Sequence, residues 1–217
     1  MNARELLSKY PEIRLLDLLD AAGLESYLRE RNLLGAKEGI TSTEKPGEGN
    51  MNYTLRVSTT EGRSFILKQS RPWVEKYPQI PAPWDRSLRE ARFFELVKNH
   101  SKVAEGMPRL LDLDPIARVL ALEDLGHSSD FTNLYSTDTA LSLDDLDALC
   151  RWLSALHELP FEKQTRSSLV NRDMRELNQE HIFNFPLLKE NGLDLDAITP
   201  GLKKEAARLI ENRELVS

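Results

Sequence analysis

One lysine and a glycine-bearing turn are the residues of this sequence whose types and order best suit the binding of a polyphosphate. Gly47 and Gly49 flank Glu48, and Lys68 follows the later apolar run Phe65-Ile66-Leu67. Glycines let the backbone pass close to a ligand without a side chain intervening. A lysine at the end of a buried strand supplies a point cation for phosphate oxygens. Together these residues predict a nucleotide site.

The spacing of these residues does not fit a P-loop. In a P-loop, lysine and then serine or threonine follow the glycines directly and a helix begins there, and neither feature follows Gly49. We therefore interpret the stretch as a nucleotide site of the kinase type. Taken alone, the same residues also fit an ordinary hairpin turn and a solvated lysine at a strand end.

Strands must position the glycine turn and the lysine. Polar and apolar side chains alternate over residues 50–57, which is the period of a half-buried strand. Residues 59–63 are polar and contain Gly62, as is typical of a hairpin loop. The sequence therefore predicts a strand before the glycine turn and a hairpin after it, with Lys68 on the second strand of the hairpin.

Helical patterns lie on both sides of this hairpin. Residues 3–34 contain two helical patterns broken near Gly23, and the first has an apolar face of leucines, namely Leu15, Leu16, Leu18 and Leu19. Four prolines between Arg71 and Pro83 exclude a regular helix there. A helix over residues 87–99 follows, capped by Asp85 or Ser87, with Glu90 in its early turns.

The second half of the chain completes an α+β pattern. Residues 110–113 and 119–122 predict two short strands, which brings the sheet to five. From Ser142 onward the pattern is helical, with an amphipathic helix ending near Leu159-Pro160. Further helical patterns cover residues 173–185 and 202–213.

Composition limits the classes of partner. The formal net charge of −6 argues against nucleic acid or an anionic membrane as the main partner. No apolar run approaches the ~18 residues of a membrane span, and the N-terminus is too polar for a secretory signal. Cys150 is the only cysteine, so we expect a buried helix residue and a reducing compartment. We expect a cytoplasmic protein.

The order of the predicted elements resembles the N-lobe of protein-kinase-like folds. Within that fold, the chain resembles the branch of aminoglycoside phosphotransferases and choline kinases, and the 5-methylthioribose kinase family in particular. The resemblance rests on motifs in order along this sequence: Gly47-Glu48-Gly49-Asn50-Met51-Asn52, Leu67-Lys68-Gln69-Ser70, Trp84-Asp85-Arg86, Glu90-Ala91, Leu122-Glu123-Asp124-Leu125, Leu156-His157 and residues 171–186.

This resemblance implies a domain organisation. An N-terminal helical cap would comprise residues 1–34, and a nucleotide-binding N-lobe, a five-stranded antiparallel sheet with one helix, would comprise residues 35–122. A hinge would follow at 123–128, and residues 129–217 would form part of a helical C-lobe.

The resemblance also implies ATP as the cofactor and eight residues that bind it: Gly47, Gly49, Asn50, Asn52, Lys68, Glu90, Glu123 and Leu125. Amides of the glycine turn would donate hydrogen bonds to phosphate oxygens. Lys68 would hold the α- and β-phosphates, and Glu90 would fix its rotamer. At the hinge, the Glu123 C=O and the Leu125 N–H would contact the adenine edge.

Kinases of this class also need a catalytic loop with His-Gly-Asp or a similar motif, and a second aspartate for Mg²⁺. None of the four histidines is followed two residues later by aspartate; they are His100, His127, His157 and His181. We therefore assign no catalytic and no metal residue in this chain. We expect the Mg²⁺ ligands and most of the site for a sugar-like acceptor to lie beyond residue 217.

Two functions fit these features. The chain is either the nucleotide-binding half of an ATP-dependent small-molecule kinase, truncated before its catalytic loop, or a non-catalytic nucleotide-binding or interaction module derived from that fold. The first is favoured because residues 176–186 resemble the helical lobe of the family. A partial lobe exposes apolar helix faces, so we expect either self-association, as a homo-oligomer, or marginal stability.

Overall fold

A computed structural model describes most of the chain, namely residues 2–47, 49–126, 131–136, 138–188 and 191–212. Glu48 of the glycine turn and residues 127–128 of the predicted hinge lie outside these ranges. The chain divides into two compact units, Met1–Val170 and Asn171–Ser217. The boundaries expected for cap, N-lobe, hinge and C-lobe remain predictions.

The first unit contains the predicted five-stranded antiparallel sheet, which confirms the α+β class. Strand order is β1-β2-β3-β7-β6, and every neighbouring pair is antiparallel. The strands are β1 (Ile40–Glu44), β2 (Tyr53–Thr59), β3 (Ser64–Gln69), β6 (Leu110–Asp114) and β7 (Val119–Glu123). A separate hairpin of β4 (Trp73–Val74) and β5 (Tyr77–Pro81) interrupts them. The sequence does not predict this hairpin, because its strands are too short and proline-rich to show a period.

The two faces of the sheet have different neighbours. One face packs against the N-terminal segment in a cluster that includes Leu16, Leu24, Tyr27, Leu28, Tyr53, Leu55, Val57, Phe65 and Leu67. Strand alternation places Thr54, Arg56 and Lys68 on the other face. We call this second side the open face.

The N-terminal segment differs from the prediction. Helix α1 (Ala3–Lys9) and helix α2 (Ala21–Glu30) are both present, but residues 15–19 lie between them and are not helical. Pro11 cannot continue a helix beyond α1. Gly23 does not mark the break, because it lies in the first turn of α2.

In this non-helical stretch, backbone N–H groups donate hydrogen bonds to side chains instead of to helix carbonyls. The Leu16 N–H donates to Gln69 Oε1 at 2.9 Å, and the Leu18 N–H donates to Tyr53 Oη at 2.8 Å. Asp20 Oδ1 accepts from the Gly23 N–H and caps α2. The contacts with Tyr53 and Gln69 fix the segment to the first residue of β2 and the last residue of β3.

Helix α3 (Arg86–Val97) crosses part of the open face. Its buried Ala91 packs with Leu120 and Leu122 of β7. Asp85 is the N-cap residue but makes no side-chain cap hydrogen bond. The Ser87 hydroxyl does not cap the helix; it accepts a hydrogen bond from Ser70 Oγ at 2.8 Å.

The described part of the first unit also contains α4 (Ser101–Ala104), a 3-10 helix (Phe131–Tyr135), the predicted amphipathic helix α5 (Leu143–His157) and α6 (Lys163–Ser168). Trp152 of α5 donates to the Val103 carbonyl at 3.0 Å. A Cβ atom on Gly106 would lie 2.6 Å from the Trp152 ring, so glycine permits this contact. Cys150 is exposed, which corrects the expectation of a buried residue.

The described residues of the second unit are mainly helical, as predicted for residues 173–185 and for 202–213, of which residue 213 lies outside the described ranges. Their helical elements are α7 (Arg172–Asn178), a π-helical segment (Gln179–Asn184), a 3-10 turn (Phe185–Leu187), α8 (Leu195–Ile198) and α9 (Leu202–Glu211). Among the described residues of the whole chain, no helix is both long and apolar enough to cross a membrane.

Candidate functional site

Lys68 and Glu90 form an ion pair on the open face, with Lys68 Nζ 2.7 Å from Glu90 Oε1. Lys68 lies next to the end of β3, opposite Thr54 on β2 and Leu120 on β7. Glu90 lies in the second turn of α3. The two side chains are 28% and 30% exposed. The carboxylate therefore fixes the ammonium group while leaving it accessible to a ligand.

The glycine turn is open on its outer side. We call residues 45–47 and 49–52 the glycine segment. A Cβ atom on Gly47 would meet nothing within 4 Å among the described residues, and a Cβ atom on Gly49 would meet only Asn52 O and Thr54 Oγ1, both at 3.9 Å. Packing within the chain therefore does not require glycine at position 49. Close approach of another molecule is a reason that remains.

A buried arginine joins the glycine segment to α3. Arg86 Nε donates to Asn52 Oδ1 at 2.8 Å, and Arg86 Nη2 donates to the Met51 carbonyl at 2.6 Å. Its Nη1 donates to the carbonyls of Arg71 and Pro83 at 2.6 and 2.7 Å. Arg86 is only 6% exposed. Arg86 therefore fixes the glycine segment to the first turn of α3.

The Arg86 guanidinium is buried, and burial disfavours its charged form. Burial lowers its pKa to about 10, although the carboxylates of Glu75 and Glu90 oppose the shift. The side chain remains protonated at neutral pH, because this pKa lies well above 7. Because the Arg86 cation contacts the glycine segment, it raises the electrostatic potential there, which favours the binding of an anion.

Two of the predicted turn residues are already engaged. The side-chain oxygen of Asn52 accepts from Arg86, and the Asn50 carbonyl accepts from the Lys76 N–H of the β4–β5 turn at 3.0 Å. The amides of Gly47, Gly49, Asn50 and Asn52 remain predicted phosphate ligands.

The connector at residues 123–126, which begins with the last residue of β7, contains the two residues predicted to contact the base. The Glu123 N–H donates to the Arg109 carbonyl at 2.9 Å, and the Glu123 carboxylate pairs with the Arg109 guanidinium at 3.1 Å. Hydrogen bonds from Arg109 lower the pKa of Glu123. The Leu125 side chain is exposed, and its N–H has no hydrogen-bond partner in the described part of the chain.

A second arginine, also not predicted from sequence, holds this connector. Arg56 of β2 donates to both carboxylate oxygens of Asp124, at 2.8 and 3.1 Å. Burial opposes ionisation of Asp124, but hydrogen bonds from Arg56, Ser64 and the Gly126 N–H outweigh it and lower the pKa of this carboxyl. Neither Arg56 nor Arg86 lies in a sequence pattern that reveals such long-range partners.

Cavities of about 260, 240 and 650 Å³ in the described residues are lined by residues other than Lys68, Glu90 and the glycine segment. The first of them lies between α3 and β6, beside Phe94 and Leu110. Within the described ranges, no three side chains of His, Cys, Asp or Glu lie close enough together to hold a metal ion.

Comparison with known proteins gives one partial similarity. No family model matches the chain. Over 107 residues, the chain is 27% identical to a methylthioribose kinase from Cronobacter sakazakii (strain ATCC BAA-894). The match covers 48% of this chain and 26% of that protein, so it spans about a quarter of the length of the relative. This distant similarity suggests a kinase-type phosphotransferase.

Proposed function

We propose that this chain binds ATP and supplies the nucleotide-binding part of a small-molecule kinase with a protein-kinase-like fold. The observation that carries the proposal is the 2.7 Å ion pair of Lys68 and Glu90 on the open face of the sheet. Kinases use a strand lysine and a helix glutamate in this way to hold the α- and β-phosphates. The partial similarity to a methylthioribose kinase supports the same class of reaction.

The described groups fit the parts of ATP in order. Lys68 supplies a point cation for the α- and β-phosphates, and Glu90 restricts its rotamers. Amides of the glycine segment donate to phosphate oxygens. The backbone of Glu123 and Leu125 reads the edge of the base. We propose a sugar-like hydroxyl compound as acceptor, by analogy with the substrate named for the relative.

Mg²⁺ would neutralise charge on the β- and γ-phosphates in such a reaction. The described residues do not provide a set of metal ligands, and no histidine in the sequence is followed two residues later by aspartate. We therefore assign neither Mg²⁺ binding nor proton abstraction to residues of this chain. Its role is to bind and orient the nucleotide.

A non-catalytic nucleotide-binding module is the second candidate. The absence of a His-x-Asp motif from these 217 residues favours it. The reading frame beyond codon 217 separates the candidates, because a continuing frame that encodes His-Gly-Asp supports the kinase and a stop codon supports the module. Both candidates predict that this chain alone does not phosphorylate methylthioribose, and turnover would contradict both.

Calorimetric titration with ATP tests the proposal. We expect saturable binding by the chain and a dissociation constant about tenfold to a hundredfold higher for Lys68→Ala, because the variant loses a charge-assisted hydrogen bond. Lys98→Ala is the matched control, since Lys98 forms an exposed pair with Glu95 on the outer side of α3. Equal affinity of the Lys68 variant and the unmodified chain would refute the proposed site.

A further inference from the structure

Arg56 joins three separate parts of the chain on the open face. Its Nε and Nη2 donate to the Asp124 carboxylate, its Nη1 donates to Glu44 Oε1 of β1 at 2.9 Å, and its Nη2 also donates to the Gly126 carbonyl at 2.9 Å. The side chains of Arg56 and Asp124 are only 12% and 4% exposed. A bidentate pair with this little exposure has a fixed geometry.

Asp124 transmits this geometry to the connector. Its Oδ1 accepts from the Gly126 N–H at 3.0 Å, two residues further on, which forms a local turn stabilised by the aspartate side chain. Gly126 has a φ of 81°, a left-handed conformation that glycine adopts without strain. Arg56 thus contacts the connector on both sides of Leu125.

Leu125 lies between two residues that Arg56 contacts, and its backbone N–H is available to donate a hydrogen bond to a ligand. Its side chain is 63% exposed, and its N–H has no hydrogen-bond partner among the described residues. A backbone donor fixed by its neighbours costs little conformational entropy when a ligand binds.

We propose that Arg56 is a positioning residue for base recognition, acting through Asp124 and Gly126 to present the Leu125 N–H to a nucleobase. The inference rests on the proposed nucleotide function and adds a base preference to it. A fixed donor selects a base whose facing ring nitrogen is an acceptor, as N1 of adenine is. N1 of guanine carries a proton, so donor faces donor and an unpaired polar group results. The chain therefore prefers ATP to GTP.

A merely structural pair would behave differently. Loss of sheet stability weakens the binding of every ligand, whereas loss of connector geometry weakens only the binding of the base. Arg109 and Glu123 provide a control on the same connector, because their pair lies at the exposed edge with side chains 75% and 33% exposed. Among the described residues, the hydrogen bonds of the Arg109 side chain all go to Glu123, so its replacement tests proximity to the connector alone.

The test compares ATP, GTP and inorganic tripolyphosphate by calorimetry, with the full chain and its variants Arg56→Lys and Arg109→Lys. For Arg56→Lys, we expect the dissociation constant of ATP to rise about tenfold, which corresponds to one or two weakened hydrogen bonds. The affinity for tripolyphosphate should stay unchanged, and the ratio of ATP to GTP affinity should fall toward one. Arg109→Lys should change none of these values.

Several results would overturn the inference. Arg56→Lys weakening tripolyphosphate as much as ATP would indicate a structural role, and an unchanged ratio of ATP to GTP would remove the role in base selection. If Arg56→Lys does not fold by circular dichroism, Asp124→Asn decides, because it retains an acceptor for the Gly126 N–H and should give the same pattern. A chain that binds tripolyphosphate and ATP equally refutes the inference alone, and a chain that binds neither refutes the proposed function as well.

Discussion

Arg86 and Glu90 lie four residues apart on α3 and therefore share one face of the helix. Arg86 binds the backbone of the glycine segment, whereas Glu90 binds Lys68 on β3. One helix face thus positions both groups that we propose to contact phosphate. A displacement of α3 would move the two groups together.

Replacement of Arg86 tests how firmly the glycine segment is fixed. We expect Arg86→Met to lower the free energy of unfolding by about 3 kcal/mol, because the carbonyls of Met51, Arg71 and Pro83 lose a buried charged donor. Urea denaturation measures this change. Arg151→Met is the matched control: its side chain is 80% exposed and pairs with Asp147, so a change within about 1 kcal/mol is expected. Similar values for both variants would contradict this role for Arg86.

At the scale of single residues, sequence reasoning identified some groups and missed others. Lys68 follows an apolar strand and Glu90 lies early in a helix, and both positions are visible as local patterns. Arg56 and Arg86 each contact segments far away in the chain, so their partners depend on the packing of the whole sheet. Local spacing contains no record of such contacts.

At the scale of the elements, the loop between α2 and β1 is joined to the β2–β3 turn by one buried carboxylate, that of Glu38. Glu38 is fully buried and pairs with Arg63 in that turn. It also accepts from the Gly35 N–H at 2.9 Å. Hydrogen bonds from Arg63 and then from the Gly35 N–H lower the pKa of Glu38 to about 2. The carboxylate is therefore the form that stabilises the folded chain.

This carboxylate predicts an acid-sensitive step in stability. Because the pKa of Glu38 is lower in the folded chain than its ordinary value of 4.5, its contribution is present above pH 4.5 and is lost as the pH falls toward about 2. Thermal unfolding from pH 7 to pH 2 measures the loss. In Glu38→Gln this part of the pH dependence should be absent, and an identical profile for both proteins would contradict the prediction.

Periodic elements were predictable from sequence, and irregular ones were not. Alternation over residues 50–57 predicts β2, which the structure places later, at Tyr53–Thr59, and the leucine spacing predicts α5. Residues 15–19 have a helical leucine spacing but are not helical, because the backbone there hydrogen-bonds Gln69 and Tyr53. Tertiary hydrogen bonds override local propensity in such segments.

At the scale of the molecule, α5 has an apolar face whose leucines are about half exposed, and exposed apolar helix faces were expected from the sequence. Leu146, Leu149 and Leu153 repeat at helical spacing and are each 46% exposed. Contiguous apolar surface of this kind favours association in water. The surface belongs to the first unit, to which α5 is attached through Trp152.

We therefore predict that the chain self-associates in a concentration-dependent way. Leu149→Glu should shift the distribution toward monomer in analytical ultracentrifugation, because a charge in a buried apolar contact is costly. Leu19→Glu is the control, since Leu19 is 89% exposed and lies outside this helix face. A stable monomer at every concentration would contradict the prediction.

The central claim is that Lys68 lies against the phosphates of ATP, and chemical labelling tests it most directly. In an ATP analogue with an acyl group on its terminal phosphate, a lysine amine that lies beside the phosphates attacks the acyl carbon, which forms an amide, breaks the bond from that carbon to the phosphate oxygen, and releases ATP and a proton. Mass spectrometry then locates the acylated lysine. We predict acylation of Lys68 that excess ATP suppresses, with little at Lys98. Acylation of other lysines with Lys68 unmodified would contradict the claim.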